Sequence, residues 1–199
     1  ENIPKDGKFL IVSNHPMGAA DAIALYYKIY SVRNDLFFFA NELFVYLLGS
    51  FQDLLAPVIW SKEKEIHLAS KVTIERLSVF FGEERPGIIF PSGRLSKLTF
   101  FGLWDRSWEK TPIALARKYD FPLIPVYVEG RNSWFFYFSS YINKQLRDVS
   151  QLNELFNKRD KKISIKIGKP VNVRSLNDNS NIAINQLRYK SERLRKKAI

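Results

Sequence analysis

The stretch Phe9-Leu10-Ile11-Val12-Ser13-Asn14-His15-Pro16-Met17-Gly18-Ala19-Ala20-Asp21 decides the fold. Its first five residues are an unbroken apolar run ending in a serine, the pattern of a strand buried on both faces. Pro16 then pushes the residue before it out of helical geometry, and Gly18 admits conformations closed to other residues. The chain therefore turns a corner and opens a helix near Ala19, with its first free N–H groups facing that corner. Histidine and aspartate six apart do not share a face of one continuous helix. Across a strand–turn–helix corner they meet, and a carboxylate that accepts from one ring nitrogen fixes the tautomer in which the other takes up a proton. His15 and Asp21 are the candidate catalytic pair; alone, a histidine beside a turn serves equally well as a surface or partly buried polar residue.

Two further segments repeat this layout. Gly87-Ile88-Ile89-Phe90-Pro91-Ser92-Gly93-Arg94-Leu95-Ser96 is an apolar strand stopped by Pro91 and Gly93, which then presents Arg94. The planar guanidinium suits a phosphate or carboxylate, although an arginine also simply solvates a strand end. Leu123-Ile124-Pro125-Val126-Tyr127-Val128-Glu129-Gly130-Arg131-Asn132-Ser133 is the third. With Leu36–Ala40 and Ile163–Ile167, these runs give strands at 9–13, 36–40, 87–91, 123–128 and 163–167, alternating with helical patterns, and predict a single α/β domain over 1–199. Ligands of open α/β sheets gather beyond the carboxyl ends of strands, so three polar strand ends point to one cleft.

The helical periodicity predicts a helix from Ile66 to Phe81 with Ile74, Leu77 and Phe81 inward and Gly82 as its stop, and a final helix from Asn181 to Lys197 with Ile184, Leu187 and Leu194 on one side. His67 reads as a solvated residue at the start of the first. The span from Leu36 to Trp60 is interrupted by Asn41, Glu42, Gln52 and Asp53 and reads as a buried strand plus an amphipathic segment, not a membrane span.

Of 199 residues, 31 are Lys or Arg and 20 Asp or Glu, a net charge of +11. Residues 1–99 hold 11 basic and 11 acidic side chains, so the whole excess falls in 100–199, with 20 and 9. Such a face attracts an anionic lipid surface or an acidic carrier protein. Phe100-Phe101 with Trp104, and Trp134-Phe135-Phe136-Tyr137-Phe138, add dense aromatic clusters that suit either a membrane interface or a core. Neither the paired aromatic strands of an RNA-recognition motif nor zinc-finger spacing is present, so no nucleic-acid partner is expected. There is no cysteine, which excludes disulfides and a cysteine acyl-enzyme, and two distant histidines leave no metal site expected. The sequence opens on glutamate and reads as a processed or trimmed chain.

Asn14-His15 with Asp21, Phe90-Pro91-Ser92-Gly93-Arg94-Leu95-Ser96 and Ile124-Pro125-Val126 together resemble the glycerophospholipid acyltransferase superfamily, whose blocks occur in this order. His15-Pro16-x-Gly18-x-x-Asp21 and Val128-Glu129-Gly130-Arg131-Asn132-Ser133 look like its hemolysin-like branch, which includes ornithine-lipid and related amino-lipid O-acyltransferases. The match covers most of 8–135, leaving a basic part at 140–199. Five residues rather than four separate His15 from Asp21, and Ser92 stands where the commoner phosphatidic-acid-forming pattern has glutamate.

The resemblance implies a glycerol-3-phosphate acyltransferase-like mixed sheet flanked by helices, and direct acyl transfer from acyl-carrier protein or acyl-CoA to a lysolipid hydroxyl, with no other cofactor. His15 would be general base and Asp21 its orienter. Phe90, Pro91, Ser92, Gly93, Arg94 and Ser96 would form the acceptor clamp, with Gly93 and Ser96 supporting Arg94. Asn14, Gly18, Asn41, Glu42, Arg131 and Asn132 are weaker substrate-binding candidates. The enzyme would sit on the cytoplasmic face of the membrane, peripheral or monotopic. A lipid-binding scaffold on an inactive acyltransferase fold and a thioester or lipid hydrolase are the competing readings.

Overall fold

The computed structural model describes residues 2–41, 49–60, 66–67, 71–100, 102–142, 144–159 and 161–195. Strand β1 (Leu10–Ser13) is buried at every position, and its side chains alternate between two hydrophobic layers: Phe9 and Ile11 enter one, Leu10 and Val12 the other. It is parallel to β5 (Gly87–Ile89) on one side and to β8 (Leu123–Glu129) on the other. Beyond β5 lie β2 (Phe37–Asn41) and β3 (Leu55–Trp60), also parallel. Antiparallel β4 (Ile66–His67) and β9 (Ser164–Ile167) close the edges, giving the order β4-β3-β2-β5-β1-β8-β9. The expected mixed sheet is therefore present. All five parallel strands end on one side, where His15 follows β1, Phe90 follows β5 and Gly130 follows β8.

Helix α1 (Ala19–Tyr30) packs Ala20, Leu25 and Ile29 with Ile11, Ile124 and Val126 on one face of the sheet. Helices α2 (Lys71–Gly82), α3 (Thr111–Tyr119) and α6 (Ser180–Arg195) cover the other with Leu77, Phe81, Ile113, Ala116, Ile184 and Leu187. Two more helices, α4 (Trp134–Ile142) and α5 (Lys144–Asn157), pack on each other, and α5 also touches α1. A two-stranded hairpin of β6 (Lys97–Thr99) and β7 (Gly102–Trp104) projects from the loop after β5.

Three expectations are corrected. The helix predicted from Ile66 starts at Lys71 instead; Ile66 and His67 pair with Trp60 and Ile59 as the short edge strand β4, so His67 is not a helix residue. In α2 the buried positions are Thr73, Leu77, Phe80 and Phe81, while Ile74 faces solvent. Thr73 is tolerated inside because its hydroxyl donates to the Pro57 carbonyl at 2.6 Å, which satisfies both buried groups. The Leu36–Trp60 span holds two strands rather than one, β2 and β3, with a 3₁₀ segment at Gly49–Leu54 before the second; residues 42–48, where Glu42 falls, lie outside the described residues. The final helix is described over Ser180–Arg195, with Ala183, Ile184, Leu187 and Ser191 buried. Among the described residues no helix is long and apolar enough to cross a membrane.

Candidate active site

The corner after β1 is built as the sequence requires. Gly18 has φ 76° and ψ −133°, a conformation essentially restricted to glycine, and a Cβ there would lie 2.5 Å from Gln151 Nε2 and 3.2 Å from Leu95 Cδ2. It caps α1, and Asp21, three residues on, reaches back to accept the Gly18 N–H at 3.0 Å and the Met17 N–H at 2.8 Å through Oδ2. These two backbone donors, just before the first turn of α1, hold the aspartate in place.

The same Oδ2 lies 3.0 Å from His15 Nδ1. The approach is short, but among the described residues neither Nδ1 nor Asp21 Oδ1 has a hydrogen bond of full geometry. Asp21 is wholly buried, and that burial pushes its carboxyl above the ordinary value against the pull of His15 and the two backbone N–H groups. On its other side the His15 ring stacks on Phe90, with centroids 4.0 Å apart and planes 22° from parallel. The imidazole is held between a carboxylate and an aromatic face, with Nδ1 turned toward Asp21.

The second motif is locked to the first through the backbone. The Ser96 N–H donates to the His15 carbonyl at 2.9 Å, and the Gly93 N–H closes a turn onto the Phe90 carbonyl at 2.9 Å, with Gly93 at φ 58°. The expected clamp is revised in its supports. Ser96 does not brace Arg94: its hydroxyl donates to Asp105 Oδ1 at 2.9 Å, and Asp105 also accepts from the Trp108 indole at 2.6 Å. Ser92 takes that bracing role, its hydroxyl donating to the Arg94 carbonyl at 2.9 Å. Pro91 and Ser92 are buried, and the Phe90 ring stacks on His15. Of this block, Arg94 alone presents an exposed charge.

Asn14 spends its side chain within the protein. Its side-chain amide donates to the Val128 carbonyl at 2.9 Å and accepts the Val128 N–H at 2.8 Å, a two-way link between the ends of β1 and β8. It ties down the strand end that precedes His15. Asn41 ends β2, opposite Val58 in register, at the same sheet edge as the site. Arg131 is exposed and lies over the Trp134 ring, 5.7 Å from its centroid, and Asn132 is buried just beyond β8. Sequence reasoning missed Asp105 and Glu154, whose partners are set by tertiary packing; Glu154 is buried and holds the start of α4 by accepting the Ser133 N–H at 2.9 Å. No group of three or more His, Cys, Asp or Glu side chains suited to a metal occurs among the described residues.

A sequence model of a family described as Acyltransferase matches residues 1–199. The chain belongs to that acyltransferase family. It is 31% identical over 178 residues to a lyso-glycine lipid O-acyltransferase of Phocaeicola vulgatus and 30% identical over 178 residues to the protein of the same name from Bacteroides thetaiotaomicron. Each alignment takes in 86% of this chain but only 62% and 63% of those relatives, so the acyltransferase chain spans somewhat under two thirds of their length. The crystal structure of the 1-acyl-sn-glycerophosphate acyltransferase PlsC from Thermotoga maritima superposes with a TM-score of 0.59 at 20% identity, covering all of this chain and 70% of that one. At that identity the likeness is one of fold. The resemblance seen in the motifs is thus borne out at the level of the lysophospholipid acyltransferase superfamily.

Proposed function

We propose that this acyltransferase moves a fatty acyl group from acyl-carrier protein or acyl-CoA to the hydroxyl of a lysolipid, and that the acceptor is a lyso-amino-lipid of the kind handled by the hemolysin-like branch. The observation that carries the chemistry is the His15–Asp21 pair at 3.0 Å, packed against Phe90 at the carboxyl ends of the parallel strands. The relatives' names support the acceptor class.

His15 Nε2 takes the proton of the acceptor hydroxyl as its oxygen attacks the thioester carbonyl. The tetrahedral intermediate collapses by breaking the carbon–sulfur bond, and the proton on Nε2 passes to the departing thiolate. Asp21 holds Nδ1–H and balances the imidazolium charge while it exists. General-base assistance of this type contributes ~10²–10⁴-fold in rate, and alignment of hydroxyl, thioester and imidazole ~7–11 kcal/mol. Direct attack fits a chain without cysteine in which Ser13, the serine nearest His15, is fully buried. Arg94, exposed on the loop whose Ser96 N–H donates to the His15 carbonyl, offers its guanidinium to an acidic group of the substrate.

Peripheral contact with a membrane surface belongs to this reading. The aromatic cluster of α4 splits between the two roles open to it: Phe136 and Tyr137 are core, whereas Trp134, Phe135 and Phe138 are 68%, 65% and 65% exposed. Phe100 and Trp104 on the hairpin are exposed as well, and Leu98 shares an apolar hollow with the α4 rings. An apolar face of this size beside basic residues suits a bilayer interface.

The test is acyl transfer in vesicles, with both donors offered against lysophosphatidic acid and lyso-amino-lipids and products read by mass spectrometry beside His15→Ala. A diacylated amino-lipid that vanishes in the variant is the expected result. Free fatty acid formed without acceptor would make the protein a hydrolase, and no donor consumption would make it a scaffold.

A further inference from the structure

Ser96 is buried and engaged on two sides: its N–H donates to the His15 carbonyl and its hydroxyl to Asp105 Oδ1, each at 2.9 Å. Pro16 follows His15 and carries no N–H, so the main chain at the histidine is held from outside. The Asn14 side chain clasps Val128 before it, and Asp21 gathers the Met17 and Gly18 N–H groups after it. The carbonyl of His15 itself is taken by Ser96.

Asp105 is the fixed point behind this contact. Its second oxygen accepts the Trp108 indole N–H at 2.6 Å, and its carbonyl accepts Arg188 Nη2 at 2.9 Å. Trp108 is buried in the hydrophobic layer that holds Leu10 and Val12 of β1 with Ile184 and Leu187 of α6. Arg188, on α6, is aligned by Glu192 at 2.8 Å and lies over the Trp104 ring, 5.4 Å from its centroid. One residue beyond Trp108, the Glu109 N–H reaches the Pro91 carbonyl at 3.1 Å. Between Ser96 and Asp105 the chain is of another kind: hairpin β6–β7 projects there, and Phe100 at its turn is 98% exposed. The Ser96–Asp105 bond ties this hairpin off at its root, so Ser96 is anchored to the core rather than to an exposed projection.

Resting on the general-base reading of His15 above, we infer that Asp105 is a positioning residue for acyl transfer: it holds Ser96, and through the Ser96 N–H the backbone of His15, so that the imidazole stays seated between Asp21 and Phe90. A misplaced general base slows the chemical step without weakening substrate binding, so the effect falls on kcat. The clamp is braced separately, because the Arg94 carbonyl accepts from Ser92 and not from this chain of contacts. What Asp105 supplies is two oxygens for two donors, the Ser96 hydroxyl and the Trp108 indole. Asparagine can supply the same, its oxygen facing the indole and its nitrogen donating to Ser96 Oγ, since a hydroxyl accepts as readily as it donates. Alanine supplies neither.

The experiment is steady-state transfer in vesicles, with palmitoyl-CoA or palmitoyl acyl-carrier protein as donor and a lyso-glycine lipid or lysophosphatidic acid as acceptor, in the combination turned over fastest. Ser96→Ala and Asp105→Ala are each expected to lower kcat about tenfold or more with both KM values held within about threefold, and the double variant to fall no further than the worse single one. Asp105→Asn is expected to keep kcat within about threefold of wild type. Trp108→Phe removes only the carboxylate's other bond, and should lower the melting temperature while kcat stays within about threefold. Losses that multiply in the double variant, a raised acceptor KM at unchanged kcat, an Asp105→Asn as slow as Asp105→Ala, or a Trp108→Phe as slow as either would each overturn the inference. If Asp105→Ala fails to fold, Ser96→Ala carries the test alone, and an unchanged kcat there overturns it. The two readings fail separately. A His15→Ala variant with wild-type transfer removes the general base; an inactive His15→Ala beside fully active Ser96→Ala and Asp105→Ala keeps the general base and removes the positioning role. No transfer by the wild-type chain removes both.

Discussion

Replacing Asp21 with asparagine separates the catalytic role proposed for this carboxylate from its structural one. Asparagine is isosteric, and its carbonyl can still accept the Met17 and Gly18 N–H groups that Oδ2 accepts at 2.8 and 3.0 Å, so the corner at Gly18 should stand. What disappears is the negative charge 3.0 Å from His15 Nδ1. Without it the imidazolium formed during hydroxyl attack has no counter-charge, and turnover should fall by ~10²–10⁴, equivalent to ~3–5 kcal/mol of transition-state stabilisation. Stability should move the other way. Burial raises the Asp21 carboxyl above its ordinary value, so the folded state holds this proton more tightly than the unfolded state does. From about pH 4 upward, through the raised value, folding takes up a proton, and wild-type stability declines as pH rises across that window. The uncharged amide of the variant carries no such slope. Thermal melts should show Asp21→Asn gaining on wild type as pH climbs from about 4 toward neutrality, with the gap levelling once Asp21 has ionised in both states. Retention of more than about a tenth of wild-type transfer would refute the orienting role. A variant that melts below wild type at neutral pH would refute the claim that burying this carboxylate is costly.

Three other outcomes follow from the same geometry. Gly18→Ala forces a side chain into positive φ and into Gln151, which should lower stability by about 1–3 kcal/mol and depress transfer with it, as read by chemical denaturation and activity together. Asn14→Leu removes both hydrogen bonds to Val128 and leaves that residue's buried N–H and C=O unpaired, a loss of about 2–4 kcal/mol in urea unfolding; an unchanged midpoint would mean the β1 and β8 ends need no such tie. The paired change Trp134→Ser/Phe138→Ser alters only exposed rings, so melting should hold within about 1 kcal/mol while co-sedimentation with anionic vesicles drops severalfold.

The parallel strands were legible because burial on both faces writes a continuous apolar run into the sequence, as at Phe9–Ser13 and Leu123–Val128. Strand β3 was not, since Pro57 in Leu55–Trp60 reads as a breaker; its carbonyl is nevertheless used by Thr73. The same bond explains the inward face of α2, where a threonine took the place that periodicity assigned to Ile74. Hairpin β6–β7 escaped notice because its strands are three residues long and mostly exposed or half-buried, without a core-facing alternation.

The site divides along a similar line. His15 and Asp21 are six residues apart, and a proline and a glycine between them dictate the corner that joins them, so local sequence suffices to read the pair. Phe90 against His15, Ser96 on the His15 carbonyl and Asn14 across to Val128 all depend on which strands neighbour β1, and the order β5-β1-β8 is a tertiary outcome. The cleft lined by Asn132, Lys161 and Lys162 is further still from the reach of a motif: these residues meet because β9 returns antiparallel beside β8, bringing the residues before Ser164 alongside the loop that follows Glu129. A corner encoded in one turn and a cleft encoded in strand pairing can vary independently. Substitutions near 161–163 can reshape that cleft without touching the His15–Asp21 corner.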